Sequence, residues 1–201
     1  MTTVSVEDLA RACGAVGDLI AEVRPEQWKA PTPCTEWNVR EVVNHLVGMD
    51  LVFAAMIESG PMPERGADFL GDDPVGAYRS SSASLQAAFS RPGVLERSYR
   101  GPLGSATGAE RLAIRLYDLL AHGWDLAQAT GIPARLPEDL ADKALAFVQI
   151  QLATQSRTGR FAEPQPVEET APAIDRLAAF LGRPVPPRVR PIEANCAPPS
   201  A

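Results

Sequence analysis

The stretch that most constrains this chain is Arg111–Gly131, RLAIRLYDLLAHGWDLAQATG. It contains no proline, and its apolar residues recur at three- and four-residue spacing, the pattern of a helix with one buried face. Gly131 with Pro133 just beyond is a C-terminal stop. A helix of this length runs about 30 Å and must bury its apolar stripe against elements of similar length.

The remaining sequence supplies such elements. Ser5, with Asp8 three residues on, reads as the cap of a first helix. Its stripe is Leu9, Cys13, Val16, Ile20 and Val23, and it ends before Pro25. Arg24–Glu36 is a loop, because Pro25, Pro31 and Pro33 forbid a regular helix. Thr35 reads as the cap of a second helix, Asn38–Ser59, with Val42, Val43, Leu46, Met49, Phe53 and Met56 on its apolar side and Gly60-Pro61 as its stop. Pro61–Pro74 is a loop long enough to form a lid or the edge of a pocket. A third helix is expected over Val75–Ser90. Val94–Ala106 reads as a short strand or a turn-rich connection, with Ser105 or Thr107 capping the long helix. Two more helices are expected, over Pro137–Thr154 and Ala173–Leu181. No strand pattern of any length stands out. The expected fold is all-α: a four-helix bundle with an additional short C-terminal helix over residues 1–185, followed by a Pro-rich tail, 186–201, expected to be disordered.

Composition excludes several classes. Hydrophobic residues make up 45% of the 201, enough for a normal core, and the net charge is −6 with a pI of about 5.0. No run of Lys or Arg suggests a nucleic-acid or anionic-membrane partner. No run of 18 apolar residues suggests a membrane span, and the N-terminus lacks a signal-peptide pattern. Three cysteines, Cys13, Cys34 and Cys196, without a CxxC pair argue against a disulfide framework or a thiolate zinc site. A cytoplasmic protein is expected.

Chemistry concentrates in three side chains. Asp118 and His122 lie four residues apart, one turn along one helix face. His45, the other of the chain's two histidines, sits among Val42, Leu46 and Met49 on the second helix. Two imidazoles and a carboxylate suit Zn²⁺, Ni²⁺ or Fe²⁺, zinc first, and such a set with an open position is that of catalytic sites. A plainer reading stands beside it: Asp118 paired with Arg115 or Arg111, His122 bonded to Asp125, and His45 a satisfied core residue.

Two strings carry more. CTEWNVREVVNHLVGMD and DLLAHGWDLAQATG, with the closing AIDRLAAFLGRPV, resemble the mycothiol-dependent maleylpyruvate isomerase N-terminal family, within the DinB-like superfamily of metal-binding four-helix bundles. The resemblance covers roughly residues 5–185. It implies that His45, Asp118 and His122 fall on the metal triad, with Asp118 where the isomerase has glutamate; the shorter arm asks for a closer helix or a monodentate contact. It also implies a small-molecule substrate and a thiol cofactor, mycothiol or another low-molecular-weight thiol, whose thiolate adds to an activated alkene or displaces a leaving group. The isomerase carries a further C-terminal domain for which this sequence has no room, so maleylpyruvate itself is not the expected substrate, and a homodimer or the Pro61–Pro74 loop would close the pocket instead. Of the other residues in these strings, Trp37 and Trp124 read as rings packing helix ends, Asp125 as an acceptor for His122 or a surface carboxylate, Arg40 as the anchor of a loop carboxylate, and Cys34 as a packed thiol. Two alternatives remain to a thiol S-transferase or isomerase. One is a metal-dependent hydrolase using Glu36, Glu41 or Asp50 as base. The other is a non-catalytic, metal-stabilised binding protein.

Overall fold

The computed structural model describes residues 3–101 and 104–187. Most of the expected tail, residues 186–201, lies outside the described residues, as does Cys196. Six α-helices and one hairpin follow in order: α1 Val6–Ala21, α2 Val39–Glu58, α3 Pro74–Phe89, β1 Ser98–Gly101, β2 Gly104–Thr107, α4 Gly108–Thr130, α5 Glu138–Thr154 and α6 Ala173–Phe180. Helices α1–α4 form a bundle in which α4 packs on α1 and α2, and α3 closes the other side against the same two. Helices α5 and α6 pack on each other and on α4.

Local signals start these helices where the backbone needs them. Ser5 Oγ accepts from Asp8 N at 3.1 Å and Asp8 Oδ2 accepts from Ser5 N at 3.0 Å, satisfying donors that a helix start leaves orphaned. Thr107 and Glu110 form the same reciprocal cap on α4. The cap of α2 is Asn38, not Thr35: Asn38 Oδ1 accepts from Glu41 N at 3.0 Å and Glu41 Oε2 accepts from Asn38 N at 2.8 Å. The antiparallel Pro31–Asn38 bridge closes a turn over the residues between them, and Thr35 lies within that turn. Within the Pro-rich loop, Pro25–Lys29 forms one 3-10 turn, which a proline at its first position permits. The segment read as a strand or a turn is a hairpin: β1 and β2 pair antiparallel, Ser98 opposite Thr107 and Gly101 opposite Gly104. Gly108 follows it so closely that a Cβ there would stand 2.0 Å from Val94 O.

Helix α4 is the axis of the molecule. Between Arg111 and Ala127 every residue is buried except one, Asp118. Leu112, Leu116, Leu119 and Leu120 on α4 and Leu46 on α2 are fully buried, each worth about 1.5–3 kcal/mol in area removed from water. A partly exposed carboxylate in the middle of such a helix faces an opening in the packing.

Candidate metal centre

Asp118 faces His45 across the α2–α4 contact. His45 Nε2 lies 3.3 Å from Asp118 Oδ1, and His122 Nε2 lies 3.6 Å from the same oxygen. The ligand atoms of the three residues lie within 4.8 Å of one another. The side chains of His45 and Asp118 are 23% and 20% exposed and that of His122 is 8% exposed, so the cluster is open on one side. A tetrahedral ion with bonds of about 2.0–2.2 Å keeps its ligand atoms about 3.3–3.6 Å apart. The separations from Asp118 Oδ1 match that spacing, and the donor set fits a borderline divalent ion.

Each of the three side chains is held from behind. Arg115, three residues before Asp118, donates from Nη1 to Asp118 Oδ2, leaving Oδ1 toward the histidines; a monodentate role suits the short aspartate arm. The same guanidinium donates from Nε and Nη2 to Asp50 Oδ1 at 2.9 and 2.7 Å, and from Nη2 to Leu46 O at 2.9 Å. Leu46 follows His45, so Arg115 also fixes the backbone beside that histidine. Ser81 Oγ on α3 donates to Asp50 Oδ2 at 2.9 Å. Burial alone would pull the Arg115 guanidinium down, but Asp50 and Asp118 outweigh it and hold it above its ordinary value. Burial would likewise raise Asp118; His45, Arg115 and His122 together hold its carboxyl well below the usual carboxylate range.

On the other flank, His122 Nδ1 lies 3.0 Å from Asp125 Oδ2. An ionised carboxylate only accepts, so Nδ1 carries a proton toward Asp125 and the ring turns Nε2 toward Asp118. Arg183, in the segment after α6, donates to both oxygens of Asp125, at 3.2 Å from Nε and 2.9 Å from Nη2. Burial would raise Asp125, but the bonds from His122 and Arg183 keep it below the ordinary range. Two parts of the plain reading hold: Asp118 pairs with Arg115 and His122 with Asp125, and those bonds orient both side chains.

The WNVRxxxNHL string divides into parts with separate tasks. Asn38 caps α2. Arg40 Nη2 donates to Asp68 Oδ2 and to Gly71 O, each at 2.9 Å. Asn44 bonds Ala67 O at 3.0 Å through its amide and Phe69 N at 2.8 Å through its oxygen. Phe69 then lies on Gly48, where a Cβ would stand 2.9 Å from its ring. The Pro61–Pro74 loop is thereby stapled along α2 beside His45, and it forms one wall of a cavity of about 770 Å³ lined also by Trp37, His45, Met49, Phe53 and Ile114. Trp37 does more than pack a helix end: its ring centroid lies 4.6 Å from that of His45 and 5.6 Å from that of His122. Trp124 is structural, donating from Nε1 to Asp175 at 2.9 Å.

Some candidates fall away. Asp50, a possible base, is fully buried and locked to Arg115. Glu41, which lines the cavity, spends one carboxylate oxygen on the α2 cap. Cys34 lies near His122 and Asp125, but burial, with Asp125 adding to it, pushes its thiol up to about 11; burial pushes Cys13 to about 11 as well. A raised pKa leaves the thiol protonated at neutral pH. Iodoacetamide near pH 7 is expected to label neither residue appreciably in the folded protein, and half-buried Cys34 is expected to react faster as the pH approaches 10 while Cys13 stays silent. Rapid labelling of Cys34 at neutral pH, located by peptide mass spectrometry, would contradict this.

The sequence profile of the mycothiol maleylpyruvate isomerase N-terminal domain matches residues 9–127, more than half of the chain. Two uncharacterized proteins from two strains of Mycobacterium tuberculosis are each 36% identical to it over 177 residues, covering 87% of this chain and 95% of theirs. The chain belongs to the mycothiol maleylpyruvate isomerase N-terminal domain family. Among solved structures, the mycothiol-dependent maleylpyruvate isomerase and a variant of it with one histidine replaced by alanine each superpose with a TM-score of 0.61. That likeness covers 82% of this chain and 77% of theirs at 16% identity, and it establishes the DinB-like bundle. Among the described residues no helix is long and apolar enough to cross a membrane.

Proposed function

We propose that this protein is a divalent-metal-dependent enzyme that uses a low-molecular-weight thiol of the mycothiol type to isomerise or conjugate a small electrophile. One observation carries the reading: Asp118, the one residue of α4 between Arg111 and Ala127 that is not buried, places Oδ1 3.3 Å and 3.6 Å from two histidine nitrogens beside an apolar cavity. His45, Asp118 and His122 would hold the ion, zinc being the best match to two imidazoles and a carboxylate. A divalent ion there supplies Lewis acidity, which favours the thiolate, the nucleophilic form of a thiol. The chain's own residues do the rest. Asp125 keeps the proton on His122 Nδ1, Arg115 holds Asp118 in place, Trp37 covers the two imidazoles, and the cavity wall takes an apolar electrophile out of water. Family membership supports the thiol, and the loss of Asp50 as a base weighs against the hydrolytic alternative.

The test uses zinc-loaded protein, mycothiol and dimethyl maleate, with the alkene geometry and any thiol adduct followed by NMR. Turnover that needs both thiol and zinc is expected. Zinc-loaded protein that neither isomerises nor conjugates this or other activated alkenes would overturn the reading. Asp125→Asn is expected to lower zinc affinity about 10- to 100-fold, because His122 Nδ1–H exchanges an ionised acceptor for a neutral amide; competition with a chromogenic chelator measures it, and an unchanged affinity would remove Asp125 from the site.

A further inference from the structure

Three arginines are buried among the described residues: Arg111, Arg115 and Arg183. Two of them are answered by buried carboxylates, Arg115 by Asp50 and Arg183 by Asp125. Arg111 is not. It is 4% exposed, and among the described residues no carboxylate lies within ion-pair distance of it. Its Nη2 donates to two backbone carbonyls of the hairpin, Tyr99 O at 3.0 Å and Gly104 O at 2.6 Å. Gly101 gives it room, since a Cβ there would stand 2.9 Å from Nη2. Nε is buried without a partner. Glu110, the adjacent acid, is turned to the α4 cap, where it accepts from Thr107 N and Oγ1 at 2.7 and 2.9 Å. An unanswered cation in a protein interior is costly, and burial pulls this guanidinium below its ordinary value.

Arg111 lines the same cavity as His45. It precedes Asp118 by seven residues, two turns and about 10 Å along one face of α4. The surface shared by these groups is apolar, built by Met49, Phe53, Phe69 and Ile114. We propose that the cavity binds an amphiphilic monocarboxylic acid, its carboxylate on Arg111 and its apolar body along Phe53, Phe69 and Ile114, so that the far end reaches His45 and Asp118. The placement of that far end rests on the metal-centre reading; the contact with Arg111 does not.

Isothermal titration of the metal-free protein with octanoate and with octanol tests this. Octanoate is expected to bind at least about tenfold more tightly than octanol, as a charge-assisted hydrogen bond in a buried site requires. Arg111→Met is expected to abolish that preference while retaining octanol binding, which also reports that the cavity is intact. Arg65→Gln, at an exposed arginine of the same wall, is expected to leave the preference unchanged. Equal affinities of acid and alcohol for the unsubstituted protein would overturn the proposal, even if Arg111→Met failed to fold. So would a preference that survives Arg111→Met or is lost in Arg65→Gln. Octanoate binding that appears only with zinc and vanishes in His122→Ala would place the carboxylate on the metal and overturn it too. Failure to bind zinc at all, with the acid preference intact, would sink the metal-centre reading and leave this one standing.

Discussion

Arg115→Met is expected to destabilise the protein by about 3–5 kcal/mol, the cost of leaving a buried charge without its partner. The guanidinium is fully buried and joins four groups: Asp50, Asp118, the Leu46 carbonyl and, through Asp50, Ser81. It therefore links α4 to α2 and, by way of Ser81, to α3. Methionine fills most of the volume, so the loss reads electrostatics rather than a cavity. Urea denaturation followed by circular dichroism measures it. The double replacement Asp50→Leu, Arg115→Met removes both charges and is expected to regain much of the loss, since an apolar pair of similar size often matches a buried ion pair. A single substitution costing under about 1 kcal/mol would show that the pair does not hold the bundle together.

Zinc is expected to stabilise the purified, metal-free protein. A ligand that binds only the folded state at about 100 times its Kd adds about 2.7 kcal/mol, which for a chain of this size raises Tm by roughly 5–10 °C. His45→Ala is expected to fold, because its side chain is partly exposed, and to lose this zinc-dependent shift. Differential scanning calorimetry with and without a chelator gives the result. A shift in His45→Ala equal to that of the unsubstituted protein would mean the ion binds elsewhere.

Short-range features of the fold were legible in the sequence, and long-range ones were not. Ser5 with Asp8, Gly131 with Pro133, and the proline-bounded loops marked helix ends because caps and breakers act within four residues. The α2 cap was misplaced because Thr35 and Asn38 are both good caps, and only the Pro31–Asn38 bridge decides between them. The hairpin was ambiguous because strands of four residues are too short to show alternation. Residue type and helical spacing single out His45, Asp118 and His122, which the structure brings within 4.8 Å of one another. Arg115 and Asp50 are 65 residues apart, and Arg183 and Asp125 are 58 apart. No periodicity joins such pairs. In the sequence Arg111 reads only as a partner for Asp118; the hairpin whose carbonyls draw it away lies in the segment hardest to read.

The most direct measurement of the central claim is metal stoichiometry. Inductively coupled plasma mass spectrometry of the protein as isolated, and after zinc loading and desalting, is expected to give one equivalent of divalent metal per chain. His122→Ala and Asp118→Ala are expected to give close to none while keeping the helical circular dichroism spectrum. One equivalent retained in both folded variants, or none in the loaded, unsubstituted protein, would contradict the assignment of His45, Asp118 and His122 as a metal centre.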